Sequence, residues 1–388
     1  MKTFEETASL CALNRIFGFE PKIGAALLQH FGNATEVMNL SLKDQELILG
    51  PHSKYLGKLN MQAVENAAKE LIQLKEKHIQ FIGLTHENYP VLLKECEDAP
   101  VGLYVRSTSP LESLFNAHSS ISIVGTRDLS LYGDEWCKKS IHSLSHTTDK
   151  PIIVSGLALG TDICAHKCAI ECGIPTIGVM ATGPEKIYPW RHTDFAEFMI
   201  HTPGCALVTD YPPETAPLAI HFLRRNRIIA GLSKATILIE SKIRGGGMMT
   251  CRLAFSYGRD VFALPGRIDD IRSQGCNQLI KEKIAEPITS AQDLVQSLNL
   301  TPLSKSPTKG FEQNLITNVY STRLPENKIK QMSEIILCIR KNRGITIEEI
   351  SEQTQIDYRR IAELTRLLET DDIISVDLLQ RCTINIRK

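Results

Sequence analysis

The sequence predicts an α/β protein: a parallel sheet covered by helices, with a helical region before it and a small helical module ending in strands after it. Three observations predict this. Between residues 110 and 298, six short apolar runs rich in β-branched residues alternate with helical patterns. Such alternation places parallel strands side by side with helices on both faces. Each run leads into a loop of turn-forming residues, and five of the six loops contain glycine. Finally, residues 1–105 and 329–388 have helical periodicity, and a stretch rich in Ser, Thr, Pro, Lys and Asn, residues 299–328, separates the last sixty residues as a linker.

The six expected strands are 121–124, 152–154, 176–180, 206–209, 236–239 and 261–264. In an open sheet of this kind, ligands bind outside the carboxyl ends of the strands. The segments found there are Gly125-Thr126-Arg127, Ser155-Gly156-Leu157-Ala158, Ala181-Thr182-Gly183-Pro184, Asp210-Tyr211-Pro212-Pro213, the loop from Ser241 to Gly247, and Pro265-Gly266-Arg267. Glycine lets backbone N–H groups approach a ligand, and helix N-termini add positive partial charge. Together they make anion sites, most often for phosphate.

Two common phosphate motifs do not fit. The first turn reads VGTRDLSLYG and the second SGLALGTD, neither of which is the G-x-G-x-x-G of dinucleotide binding, and no G-x-x-x-x-G-K-[ST] loop is present. From Arg224 to Arg272 there are ten Lys/Arg against four Asp/Glu. That local excess favours a polyanion held by several cations over a single small phosphate.

Bulk properties bound the rest. The chain has 388 residues, enough for two to four domains at roughly 100–200 residues each. It is 43% hydrophobic and 23% charged, as a folded globular protein is, and its 44 basic residues balance 44 acidic ones, so any case for nucleic acid rests on local charge. The start MKTFEETASL has no basic segment leading into an apolar core, and no apolar run is long enough to span a membrane, so a cytoplasmic protein is expected. Eleven scattered cysteines without a C-x-x-C pair suit a reduced compartment. Cys164, Cys168 and Cys172 share one helix face, where small buried thiols are expected rather than a metal site; no cofactor is expected either.

The motifs SIVGTR, IIVSGLALGTDICAH, GIPTIGVMATGPEKIYP, HFLRRNRIIAGLSKATILIE, GGGMMT, GRDVFALPG and QGCNQLI succeed one another across roughly residues 120–285. In this order they resemble the bacterial DNA-processing family DprA (Smf). The resemblance implies an extended Rossmann-like domain that binds single-stranded DNA, forms a homodimer, protects incoming strands, and loads RecA recombinase in natural transformation, with single-strand-binding protein as a further partner. It implies no catalysis. The DNA-binding residues it points to are Gly125, Thr126, Arg127, Ser155, Gly156, Gly160, Arg225, Asn226, Arg227, Gly245, Gly246, Gly247 and Thr250. Arg225 and Arg227 cannot share a helix face, so one of the two is expected to brace the fold. Thr250 is expected to open the helix after the glycine loop. Asp162 and His166, four apart, are expected to make a structural hydrogen bond. The sequence departs from the family pattern at Thr161, at Thr209-Asp210, at Leu223, in the glycine run Gly245–Gly247, and at Lys283-Ile284-Ala285. The rival reading is a Rossmann-like nucleoside-monophosphate phosphoribohydrolase. Such enzymes resemble this sheet but place a glutamate where this chain has Leu253.

The flanks are less specific. Residues 18–37 fit either a helix-hairpin-helix, in which Gly24 approaches a phosphate, or a purely structural helical (SAM-like) domain. The C-terminal pattern is that of a winged helix: a helix over 345–352, a turn at Ile356-Asp357, a second helix over 358–368, then a β-wing at 373–376 and 383–386. Its ligand is left open between duplex DNA and protein.

Overall fold

A computed structural model describes residues 2–115, 119–303, 320, 324–342, 344–371, 373–377 and 379–384. Most of the expected linker, and the end of the expected wing, lie outside the described residues. Met1–Pro302 form one compact unit and Leu303–Lys388 a second.

The first unit is organised by a nine-stranded sheet. Its strands are β1 (Ile79–Gly83), β2 (Gly102–Arg106), β3 (Ser120–Val124), β4 (Ile152–Ser155), β5 (Thr176–Val179), β6 (Ala206–Thr209), β7 (Ala235–Leu238), β8 (Asp260–Ala263) and β9 (Glu286–Pro287). Their order is β1-β2-β6-β5-β4-β3-β7-β8-β9. From β6 to β9 every pairing is parallel. β1 and β2 add to the β6 edge antiparallel.

All six strands expected from the sequence are present, with ends shifted by no more than a residue or so. They are short and almost wholly buried, as strands covered on both faces must be. Alternation along them feeds two cores. Val124, Ile152, Val154 and Leu238 pack on one face with Ile228, Met248 and Cys251 from the helices. Ile121, Ile123, Ile153 and Ile237 pack on the other with Cys137, Ile141 and Cys168.

β1 and β2 are not foreseen by the sequence reading, which places them in a helical domain. The sheet begins at Ile79, and the first five helices pack on its β1–β2 end around Leu13, Phe17 and Met38, with Phe81 and Tyr104 from the strands. Buried Asn14 stitches the two parts. Its amide donates to the Asp210 carbonyl at 2.9 Å and its carbonyl accepts from Gly102 N–H at 3.2 Å. Gly24 lies buried in helix Pro21–Phe31, where a methyl group would come 2.5 Å from Val101. Its role there is close packing, which favours the structural alternative for residues 18–37.

The second unit has helices Glu326–Lys341, Ile347–Thr354 and Tyr358–Thr370 and an antiparallel sheet of β10 (Ile345–Thr346), β12 (Arg381–Ile384) and β11 (Ile374–Val376), in that order. Ile345 and Thr346 are a strand rather than the start of the next helix. Thr346 and Glu349 form a reciprocal cap that fixes where that helix begins. Asp357 caps the next helix by accepting from the Arg359 and Arg360 N–H groups. The core is built from Met332, Ile335, Ile350, Ile361, Leu364 and Leu368.

Candidate nucleic-acid interface

Strand order reverses between β3 and β7, whose carboxyl ends therefore flank the crevice where ligands of such sheets bind. Three glycine segments meet there. A methyl group on Gly125, after β3, would come 2.4 Å from the Thr161 hydroxyl and 3.0 Å from the Glu240 carbonyl. One on Gly247 would come 3.4 Å from Gly125 Cα. Gly160 adopts φ +73, and a side chain on it would strike the Thr126 carbonyl at 2.3 Å. That carbonyl accepts both the Thr161 N–H at 3.1 Å and the Thr161 hydroxyl at 3.2 Å. The departure from the family's isoleucine at 161 thus supplies a bond between the first two loops.

Two helices start at this crevice. Thr161–Glu171 begins after Gly160 and Gly246–Ser256 after Gly245, and neither has a side-chain cap. Their first N–H groups have no partner within the helix; that of Thr161 is taken by the Thr126 carbonyl, and a ligand anion suits the donors that follow and the helix dipole. Gly246 is exposed, with nothing within 4 Å of the place a methyl group would occupy.

The cations divide into two groups. Arg127, Lys242 and Arg244 are exposed, and none of them has an ion-pair partner among the described residues. Arg127 lies over the Phe222 ring at 5.6 Å. Arg225 and Arg227 are buried on helix Ala219–Gly231. Arg227 forms a buried ion pair with Asp210 and donates to the Asp98 carbonyl. It therefore braces the fold, and its expected contact with DNA is corrected. Arg225 donates to the Val179 carbonyl at the end of β5. Gly156 sits between it and Asp162: a methyl group there would come 2.4 Å from each. Burial pushes the Asp162 carboxyl up, opposed by Arg225 and by the Ala158 N–H. Burial lowers Arg225, opposed by Asp162.

Several other expected residues serve the scaffold. The buried Ser155 hydroxyl donates to the Ile123 carbonyl at 2.6 Å, so it offers no donor to the crevice. Thr250 does not open its helix; it is buried one turn in, donating to the Gly246 carbonyl at 3.4 Å. Asn226 reaches the same carbonyl at 3.5 Å and ties two helices at the glycine loop. Asp162 and His166 do not bond each other. His166 Nδ1 pairs with the Thr176 hydroxyl at 2.6 Å and Nε2 with the Gly156 carbonyl at 2.5 Å, and burial lowers its pKa to about 4. Lys242 and Arg244 were not singled out from sequence, although their place between β7 and the glycine run was a sufficient cue.

A doubly wound α/β unit with an anion-facing crevice at its switch point is the class of protein these features define. The chain belongs to the DNA recombination-mediator protein A family, whose profile matches residues 80–299. It is 35% identical over 259 residues to the DNA processing protein DprA of Streptococcus pneumoniae, covering 65% of this chain and 87% of that protein. It is 37% identical over 229 residues to protein Smf of Escherichia coli, 59% of each. The crystal structure of the S. pneumoniae DprA superimposes with a TM-score of 0.61 at 31% identity, covering 75% of this chain and 97% of that one. A Helicobacter pylori DNA processing protein A, whose structure was determined for its single-stranded-DNA binding mode, matches with a TM-score of 0.50 at 28% identity, covering 57% of this chain and 97% of that one. Among the described residues no helix is long and apolar enough to cross a membrane.

Proposed function

We propose that this chain acts in DNA processing as a cytoplasmic single-stranded-DNA-binding protein. It holds the strand in the β3–β7 crevice, protects incoming DNA, and passes it to RecA recombinase during natural transformation. The observation that carries the reading is the convergence of two uncapped helix N-termini and glycine backbone with Arg127, Lys242 and Arg244, which are exposed and have no ion-pair partner among the described residues. Such a surface reads phosphate and not sequence. Arg127, Gly125, Thr126, Gly160 and Gly245–Gly247 line it, while Gly156, Ser155, Arg225, Asn226, Arg227 and Thr250 hold it in shape.

Catalysis finds little support. The buried carboxylates beside the crevice are engaged: Glu240 accepts from the Ser130 N–H and hydroxyl, and Asp162 faces Arg225; exposed Asp128 lies 3.8 Å from Arg272. Leu253 stands where a phosphoribohydrolase needs glutamate. We assign a homodimer as the working assembly and, to the second unit, a winged-helix role in choosing duplex or protein partners.

The test uses the full chain, a labelled single strand and a matching duplex in a salt series. Tight, salt-sensitive binding to the single strand, with acceleration of RecA filament formation on strands coated by single-strand-binding protein, is expected. Salt-insensitive binding, or release of free base from nucleoside monophosphates, refutes the reading. Normal DNA binding without acceleration removes the loader role alone.

A further inference from the structure

The face of the sheet opposite to the core of Val124 and Val154 carries the helices Leu131–Ser145 and Thr161–Glu171, which pack side by side. Their carboxyl-terminal ends meet. His142 lies in the last turn of the first, Cys168 in the last turn of the second, and Cys172 at its C-cap. The Cys168 and Cys172 sulfurs are 3.9 Å apart, and Cys172 Sγ is 3.5 Å from His142 Nδ1. All three ligand atoms lie within 4.8 Å of one another.

The two spacings that Cys172 makes are those of a metal's coordination sphere, and the third lies within 4.8 Å, so a small rotation of His142 or Cys168 closes the set. Zinc binds thiolate at about 2.3 Å and imidazole nitrogen at about 2.0 Å in tetrahedral geometry, which sets two sulfurs about 3.8 Å apart and sulfur and nitrogen about 3.5 Å apart. Cysteines four apart place their sulfurs one turn above the other on a single helix face. The same cluster of ligands sits between two helix C-termini, whose dipoles carry negative partial charge there and favour a cation. Cys164 shares the cysteines' helix face but takes no part. Its thiol donates to Asp134 at 3.2 Å, and His142 from the neighbouring helix holds the third position instead.

We propose that His142, Cys168 and Cys172 bind one zinc ion, with the fourth position left to solvent on the exposed side of His142. The ion clips the two helices together at the end of Thr161–Glu171 remote from the crevice. The site stands on its own geometry and does not depend on how the chain handles DNA.

The test uses the full chain, reduced, freed of metal by a chelator, and titrated with Co²⁺ and then Zn²⁺. One Co²⁺ per chain is expected, with a thiolate-to-cobalt charge-transfer band and tetrahedral d–d bands, all displaced by Zn²⁺. His142→Ala and Cys172→Ser each weaken binding by more than about 100-fold, beyond the loss that removal of an outer partner brings. Cys338→Ser, in the second unit, binds as the parent does. Zn²⁺ raises the melting temperature of the parent and not that of His142→Ala, which changes an exposed side chain and keeps the fold. Absence of the charge-transfer band overturns the site. So does parental binding by both His142→Ala and Cys172→Ser, or a disulfide between Cys168 and Cys172 in a chain that takes up no ion after reduction.

Discussion

Arg127→Ala removes one of the three exposed cations at the crevice, and the size of its effect is set by that count. If Arg127, Lys242 and Arg244 each neutralise one phosphate, log affinity for a single strand falls against log salt with a slope of about −0.7 per contact, about −2 in all. Between about 50 and about 200 mM salt the parent then loses about 18-fold in affinity, and Arg127→Ala only about 7-fold. At low salt the variant binds more weakly, and Arg127→Glu more weakly still because it repels the strand. Stability should hardly move. Arg127 is exposed, lies over the Phe222 ring, and its charge also reaches buried Asp162 and Arg225 with opposite signs, and surface changes of this kind stay within about 0.5 kcal/mol. Fluorescence anisotropy with a labelled oligonucleotide in a salt series gives the slope, and circular dichroism checks the fold. A folded Arg127→Ala with the parent's slope and affinity takes Arg127 out of the interface.

Arg227→Met should behave in the opposite way. It strands the Asp210 carboxylate, buried and without its partner, at a cost of about 3–5 kcal/mol, read as a lower urea midpoint; an unchanged midpoint refutes the brace. His166 is buried and its pKa is lowered from 6.5 to about 4, so the unfolded chain binds its proton first. Its contribution, about 3 kcal/mol, is complete above pH 6.5 and is lost as pH falls through 4. The stability of His166→Gln should therefore vary less between those pH values than the parent's, and equal slopes in parallel urea melts would exclude the buried neutral imidazole. A chain of residues 1–302 should be soluble and bind single strands as the whole protein does. A 110–298 fragment, although it holds all six expected parallel strands, should aggregate, because it uncovers the β6 edge and removes Asn14 and Asp98 from their partners; gel filtration of the two decides.

What the sequence reveals is what local chemistry settles. The six parallel strands are legible because strands buried on both faces must be apolar throughout, and each is followed by a turn. β1 and β2 escape because they join the edge of the sheet antiparallel and come after five helices. Their neighbours along the chain are helical, and nothing local to Ile79–Gly83 says that its partner's partner is Ala206–Thr209. Thr250 shows the same limit at the scale of one residue. A threonine after a glycine run is a fair helix-opening signal, but Gly246 already has space and backbone freedom to start the helix, and Thr250 turns inward.

Charge density misleads in a similar way, and the structure shows why. Of the ten basic residues from Arg224 to Arg272, eight are engaged with the protein. Arg224 donates to the Gly18 and Phe19 carbonyls, Arg225 to Val179, and Lys234 to Leu298. Arg227, Arg252, Arg259, Arg267 and Arg272 pair with carboxylates. Among the described residues of this segment Lys242 and Arg244 alone have neither an ion-pair partner nor a side-chain hydrogen bond to the protein, and both sit in the loop that leads into the helix after β7. These basic residues therefore mainly secure the helices and loops around the sheet, and counting all ten as a DNA footprint, where two are unengaged, overstates the number of available phosphate contacts about fivefold in this segment. The cations that remain lie beside backbone N–H groups that cannot be read from charge at all. An interface of this composition depends on glycine at Gly125, Gly160 and Gly246 as much as on arginine, and adding bulk there should weaken binding without changing the net charge.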